Sequence, residues 1–209
     1  MILYLCAAAA AAYLVGSLNP AIAFSKLIYH QDLRACGSGN PGFTNFRRVY
    51  GDRYAWYVLV LDLGKAAAVT AVFAALFAYY ENDRTFGAAY TGLFALLGHI
   101  YPCWHRFRGG KGFLVYLSVI WFINWHAGLI ALCVMLVLLL ITKYMSLSTI
   151  LSMLSCPITL IVRHEDTLVT LLCAASVLII TLRHKENIKR LAHGTESRFS
   201  LWGNPSAKV

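Results

Sequence analysis

Apolar runs, divided by short polar or Gly/Pro breaks, fill most of this chain. They extend over Leu3 to Ser25, Tyr54 to Tyr80, Phe86 to Tyr101, Phe113 to Asn124, Ala127 to Thr142, Leu147 to Val162 and Leu168 to Leu182. The longest exceed the ~20 residues a helix needs to cross a bilayer, and several fall short of it. Between Phe113 and Thr142 a single long tilted helix would also fit. The break at Asn124-Trp125-His126, polar and flanked by an interfacial aromatic, favours two helices. The pattern predicts an all-α polytopic membrane protein of about seven transmembrane helices.

Composition agrees. Of 209 residues, 59% are hydrophobic and 13% charged, and the mean hydropathy is +0.64, too apolar for a soluble domain. Residues 1–209 read as one integral membrane domain. The first run lacks the basic start of a signal peptide, so it is expected to remain as the first helix. The formal charge of +9 is dispersed among hydrophobic stretches instead of forming one basic face with stacking aromatics, which argues against nucleic acid. Six cysteines stand singly with no Cys-x-x-Cys and no His at ligand spacing, so neither a structural metal nor a disulfide framework is expected.

The bases also orient the helices. One set of loops carries Lys26, Arg34, Arg47, Arg48, Arg53, Arg106, Arg108, Lys111, Lys143 and the tail from Arg183 to Lys208. The opposite loops carry only Arg84 and Arg163, beside Glu81, Asp83, Glu165 and Asp166. The positive-inside rule therefore predicts an outer N-terminus and a cytoplasmic C-terminus. Without the break at Asn124 the second half inverts and the basic tail faces the wrong way, so an odd number of crossings is preferred.

Three polar islands fall on the predicted cytoplasmic side. The first runs from Gly37 to Arg48 as Gly-Ser-Gly-Asn-Pro-Gly-Phe-Thr-Asn-Phe-Arg-Arg. The second joins Gly98-His99-Ile100-Tyr101-Pro102 to Gly109-Gly110-Lys111-Gly112, and the third is His184-Lys185-Glu186-Asn187-Ile188-Lys189-Arg190-Leu191 with Gly194-Thr195-Glu196. Glycine lets backbone N–H groups approach an anion while Arg and Lys supply charge, so each island is equipped to hold phosphate.

Each island also has a plainer reading. The first could be a re-entrant connector with Arg47 and Arg48 as topology signals, but Ser38, Asn40, Thr44 and Asn45 place many uncharged hydrogen-bonders next to a guanidinium fork. A snorkelling lysine has no need of Gly-Gly-Lys-Gly, and Lys111 stands just before an apolar run, near a helix N-terminus that favours anions. The upstream glycine of a nucleotide-binding Gly-x-x-x-x-Gly-Lys is absent, so no nucleotide is implied. In the third island His184, Asn187 and Leu191 share a helical face; Glu196 would either touch substrate or orient neighbouring bases. Asp62 and Lys65, three apart within an apolar run, read as a structural ion pair near the cytoplasmic end. His99 abuts the second island.

In this order the islands resemble the three motifs of the bacterial acyl-phosphate:glycerol-3-phosphate acyltransferase family. Those motifs read Gly-Ser-Gly-Asn-Pro-Gly-x-Thr-Asn-x-x-Arg, then Gly-His-x-Phe-Pro with Phe-x-Gly-Gly-Lys-Gly, then His-Arg-x-Asn-Ile-x-Arg-Leu-x-x-Gly-x-Glu. The likeness spans nearly the whole chain. It implies a seven-helix enzyme of the bacterial plasma membrane, with its active site facing the cytoplasm, that moves a fatty acyl group from acyl phosphate to the 1-hydroxyl of glycerol 3-phosphate. It implies no cofactor and no metal. Carried over, the expected catalytic positions are Ser38, Arg48, Lys111, His184 and Asn187. Gly37, Asn40, Thr44, Asn45, Gly109, Gly110, Gly112, Arg190 and Glu196 are the expected substrate-binding positions. Arg48 and Lys111 would hold phosphate, Ser38 and Asn40 would position donor or acceptor, and Asn187 would orient His184 or bind the acceptor. Beyond its two substrates and membrane lipid, a soluble acyl-phosphate-forming enzyme is a partner that the basic loops leave open.

No His-x-x-x-x-Asp occurs in the chain, which removes the general-base pair of other glycerophosphate acyltransferases. The phosphate of the donor is the expected proton acceptor, with His184 as the competing base. Phe113, Leu114 and Val115 depart from the small residue, Ala and Thr usual after Gly-Gly-Lys-Gly, and Phe43, Ala66 and Lys185 are lesser departures. They keep a catalytically altered or degenerate paralogue open as an alternative. A small transporter for a phosphorylated metabolite is the other, although the outer loops carry no matching basic cluster.

Overall fold

The computed structural model describes residues 2–200; Lys208 of the basic tail lies outside them. Among the described residues the regular structure is helical throughout. The α-helices are α1 (Ile2–Gly16), α2 (Pro20–Tyr29), α3 (Phe43–Tyr50), α4 (Asp52–Glu81), α5 (Arg84–Ile100), α6 (Phe113–Ile123), α7 (Trp125–Thr142), α8 (Met145–Val162), α9 (Thr167–Arg183) and α10 (Lys185–Ala192). Four stretches are long and apolar enough to cross a membrane: Ile2–Tyr29, α4, α7 and α8. A fifth is reached if α9 and α10, bent by 58°, form one span. The protein is an integral membrane protein of four to five candidate spans, with α5 and α6 shorter than a full crossing.

Every predicted apolar run is helical, but the first is two helices instead of one. Asn19 and Pro20 cause the division. Proline cannot donate within a continuing helix and fits the first turn of a new one. Asn19 caps that turn, its Oδ1 accepting from the backbone N–H of Ile22 at 2.9 Å. Asn124 separates α6 from α7 in a similar way, its Oδ1 accepting from the N–H of Ala127 at 3.0 Å. Its Nδ2 donates to Glu165 Oε1 at 2.7 Å, tying this break to the α8–α9 turn.

Helix α3 falls within a polar island that the apolar pattern leaves as a connector, while α10 is the short helix that the spacing of His184, Asn187 and Leu191 predicts. Helix α3 is amphipathic: Phe43 and Phe46 are buried with Leu33, Ala55 and Val58 in a small core of their own, and Gly51 with φ 79° ends it. A larger core surrounds α5, which packs against α1, α4, α6 and α9. Glycines set the closest of these crossings. A Cβ on Gly16 would stand 2.2 Å from the carbonyl oxygen of Ala95, and one on Gly98 would stand 2.2 Å from that of Tyr13. Small residues of this kind let helix backbones touch in a membrane, where there is no hydrophobic drive to assemble them. The N-terminal ends of α4, α6 and α8 thereby gather with the C-terminal ends of α5 and α9, and all three islands lie at that end.

Candidate active site

A cavity of about 250 Å³ opens among these helix ends. The first island supplies Ser38, Asn40, Thr44, Asn45 and Arg48 to its wall, the second Lys111 and Gly112, and the third His184, Asn187, Arg190 and Glu196. The remaining wall is largely apolar, formed by Leu59, Phe113, Leu114, Leu117, Met135 and Met145. Cationic and amide groups therefore face a greasy slot across one small volume.

Asn45 shapes the first island from within. Its Oδ1 accepts from the backbone N–H of Ser38 at 2.9 Å, and its Nδ2 donates to the carbonyl of Cys36 at 3.0 Å. Both ends of the amide are thus committed to presenting Ser38. Gly37 sits behind that turn with φ 58°, where a Cβ would stand 2.4 Å from Asn45 Oδ1, so its role is to let the turn close. The adjacent arginines diverge. Arg47 is buried, paired with Asp52, and stacked over the ring of Phe199. Arg48 reaches the cavity and donates to Ser197 Oγ at 2.9 Å.

In the second island the chain folds back on α5. The N–H of Gly109 donates to the carbonyl of Ile100 at 3.0 Å and that of Gly110 to the carbonyl of His99 at 3.2 Å. Gly109 and Gly110, expected substrate-binding positions, pack against the carbonyls of Ile100 and His99 and the ring of His99, and the cavity wall begins at Lys111. Burial lowers the pKa of Lys111 to about 8, with the charges of Arg190, Arg183 and Arg48 adding to the effect against the opposing pull of Glu196. The ammonium is still protonated at neutral pH. It donates to Asn187 Oδ1.

Asn187 in turn donates from Nδ2 to Glu196 Oε1 at 2.7 Å. Glu196 also accepts from Ser146 Oγ at 2.8 Å and from Arg190 Nε at 2.7 Å. Burial alone would raise its pKa, but these three hydrogen bonds outweigh burial and lower it. Asn187, expected to orient His184 or bind the acceptor, lines the cavity, and its amide bridges Lys111 to Glu196. His184 stands at the bend between α9 and α10, its Nδ1 2.8 Å from the carbonyl of Ile180. Nδ1 is thus the protonated nitrogen and Nε2 the ring's acceptor. Burial, then the charge of Lys111, lowers its pKa to about 4, so the imidazole is neutral.

A family model described as glycerol-3-phosphate acyltransferase matches residues 6–194. The chain belongs to the glycerol-3-phosphate acyltransferase family. A glycerol-3-phosphate acyltransferase of Coxiella burnetii is 37% identical over 191 residues, covering 91% of this chain and 95% of that one. One of Brucella suis is 36% identical over the same share of this chain and 91% of its own. Among solved structures, the crystal structure of PlsY (YgiH), an integral membrane glycerol 3-phosphate acyltransferase in its glycerol 3-phosphate form, superposes with a TM-score of 0.84 at 33% identity. The match covers 94% of this chain and 96% of that one. The lysophosphatidic acid form of PlsY gives 0.80 at 32% identity with the same coverage.

Against that family background, several cavity residues escaped the reading of the sequence. Asp62 and His99 reach the wall; the i, i+3 spacing of Asp62 and Lys65 was legible, but their pair extends to His99 instead of ending as an isolated ion pair. Ser146, Thr149, Ser197 and Phe199 also line the cavity. Ser197 and Phe199 follow the third motif in a tail that nothing in hydropathy marks. That tail returns over the site, where the N–H of Phe199 donates to the carbonyl of Lys143 at 2.6 Å.

Proposed function

We propose that this acyltransferase moves a fatty acyl group from acyl phosphate to the 1-hydroxyl of sn-glycerol 3-phosphate, releasing lysophosphatidate and inorganic phosphate for phospholipid synthesis. The observation that carries this reading is the convergence of Arg48, Lys111 and Arg190, from three separate islands, on one cavity with an apolar wall. Two phosphates need cationic donors and an acyl chain needs a greasy surface; the cavity offers both. The activity of the relatives and the glycerol 3-phosphate and lysophosphatidic acid forms of PlsY support the acceptor and the product of this reaction.

The reaction asks little covalent help from the protein. Acyl phosphate is a mixed anhydride with a good leaving group, so catalysis rests on alignment and on stabilising developing charge. The acceptor's hydroxyl oxygen forms a bond to the acyl carbon, and the bond from that carbon to the phosphate oxygen breaks. The hydroxyl proton passes to the departing phosphate. Phosphate monoanion ionises at roughly pH 6, so its oxygens are better proton acceptors than a His184 ring whose pKa is about 4. His184 then orients a hydroxyl through Nε2, Arg48 and Lys111 hold phosphate oxygens, and Ser38 and Asn40 position donor or acceptor. Thr44 and Arg190 contribute further hydrogen bonds to substrate.

In this reading the chain crosses a bacterial plasma membrane seven times, with the short α5 and α6 completing the count. The N-terminus is outside, and the cavity opens to the cytoplasm, on the side of the basic loops. The test supplies purified protein in lipid with acyl phosphate and glycerol 3-phosphate and measures lysophosphatidate and free phosphate. Equal amounts of both are expected. Binding of both substrates with neither product would favour the degenerate paralogue that Phe113 to Val115 first suggested.

A further inference from the structure

The buried group that the proposed reaction does not use lies against Gly110, the residue before Lys111. Lys65 Nζ stands 2.8 Å from Asp62 Oδ1 and 3.1 Å from His99 Nδ1, and it also donates to the carbonyl of Leu18 in the α1–α2 break. The side chains of Asp62, Lys65 and His99 are only 1%, 8% and 5% exposed. Three ionisable groups buried together in a membrane protein are costly, and a buried pair is often no more stabilising than apolar residues of the same volume. Stability alone therefore accounts poorly for this cluster.

Its geometry suggests another task. One ring nitrogen of His99, Nδ1, faces the Asp62–Lys65 pair, while the other, Nε2, faces the glycine loop. A Cβ added at Gly110 would stand 2.2 Å from Nε2, and one at Gly109 would stand 2.0 Å from the carbonyl oxygen of His99. The ring is held from α4 on one edge and forms the surface on which Gly110 lies on the other, while Gly109 rests on the carbonyls of His99 and Ile100. Lys111 is the next residue.

We propose that His99, held by Asp62 and Lys65, is a positioning residue that sets the path of Gly109 and Gly110 and so aims Lys111 into the cavity. The inference rests on the phosphate-holding role given to Lys111 above. An apolar side chain could fill the same space, but it would lack the contact from Nδ1 that fixes the rotation of the ring. The rotation decides where Gly110 can lie, and Gly110 decides where the lysine starts.

A size exchange tests this. Gly110→Ala drives a methyl group into the ring and is expected to lower kcat/KM by roughly a hundredfold, the scale of a 1 Å misplacement. The loss should appear as a raised KM for the one substrate whose phosphate Lys111 holds. Adding His99→Ala opens the space, and the double variant should recover about tenfold over Gly110→Ala, as expected of coupled neighbours. A merely structural role would lower the active fraction and leave both KM values alone.

A second readout does not need turnover. Inorganic phosphate should protect Lys111 from an amine-reactive label, followed by mass spectrometry; Gly110→Ala should lose that protection and the double variant regain it. If the unaltered protein makes no lysophosphatidate, the proposed reaction fails while the labelling still judges the positioning. If Gly110→Ala does not fold, His99→Asn, which keeps an acceptor for Lys65, should hold the wild-type KM more closely than His99→Leu. The inference is overturned by a double variant no better than Gly110→Ala, by unchanged KM and protection in Gly110→Ala, or by equal KM values in the Asn and Leu variants.

Discussion

Two buried clusters in this protein use the same ingredients, a lysine, a carboxylate and a third polar group, yet they are wired differently. In the first, Lys65 meets Asp62 directly at 2.8 Å. In the second, Lys111 is separated from Glu196 by the amide of Asn187, and Glu196 takes Arg190 as its ion-pair partner at 2.7 Å. Direct pairing neutralises Lys65 inside the helix bundle. Interposing an amide leaves Lys111 a net cation at the cavity wall, able to attract a phosphate. The difference between structural and functional charge here is one intervening side chain.

The contrast can be broken most forcefully at Lys111. Lys111→Ala removes a preorganised cation and is expected to lower kcat/KM by roughly 10²- to 10³-fold in the lysophosphatidate assay. Its thermal unfolding should be no lower than wild type. The fold depresses the pKa of Lys111 from 10.5 to about 8. Between those values the unfolded chain binds the proton and the folded one does not, so stability rises with pH across that window. The charge of Lys111 works against the fold, and its removal costs no ion pair.

Asp62→Asn should behave in the opposite sense. It keeps the shape but leaves Lys65 buried beside a neutral amide, and loss of one partner of a buried pair costs about 3 kcal/mol or more. A clear drop in Tm in detergent is the expected result. Equal Tm values for the Asp62 and Lys111 variants would erase the distinction between the clusters.

Asn187→Asp rewires the second cluster to resemble the first. A carboxylate touching Lys111 should weaken phosphate binding about tenfold, seen in KM, because the lysine is then paired internally. The same change should raise the pKa of Lys111 and move the alkaline limb of kcat/KM to higher pH. In the unaltered protein that limb is expected near pH 8: the protonated lysine binds phosphate, so activity is full below this value and declines as pH rises through it. The smallest effect is assigned to His184→Ala, roughly tenfold or less, with the alkaline limb unmoved; loss of all measurable transfer would instead make His184 the base.

Much of this architecture was legible in the order of residues. The apolar runs located the long helices, and Asn124 was read as a break because a polar residue beside an interfacial tryptophan interrupts the hydropathy. The three islands announced phosphate chemistry through glycine and basic residues. What escaped notice had no local periodic signal. The break at Asn19 lies within a run whose mean hydropathy stays high, and α3 is helical because Phe43 and Phe46 find a small core made by distant residues. Gly-Gly-Lys-Gly permits Gly109 and Gly110 to bind substrate, yet Gly109 lies against the carbonyls of His99 and Ile100 and Gly110 against the His99 ring; a glycine's code does not say which atoms will crowd it.

By itself, then, the sequence determined that this is a helical membrane protein with three polar motifs of an acyltransferase family, because hydropathy and motif spacing are properties of neighbouring residues. Beyond the Asp62–Lys65 spacing, the partners of the charges come from the fold. His99 against Lys65, Asn187 between Lys111 and Glu196, and Arg48 against Ser197 follow from the packing of helices and of the tail after α10. Electrostatic interaction depends on separation and burial in space, and for these contacts the chain order carries no record of either.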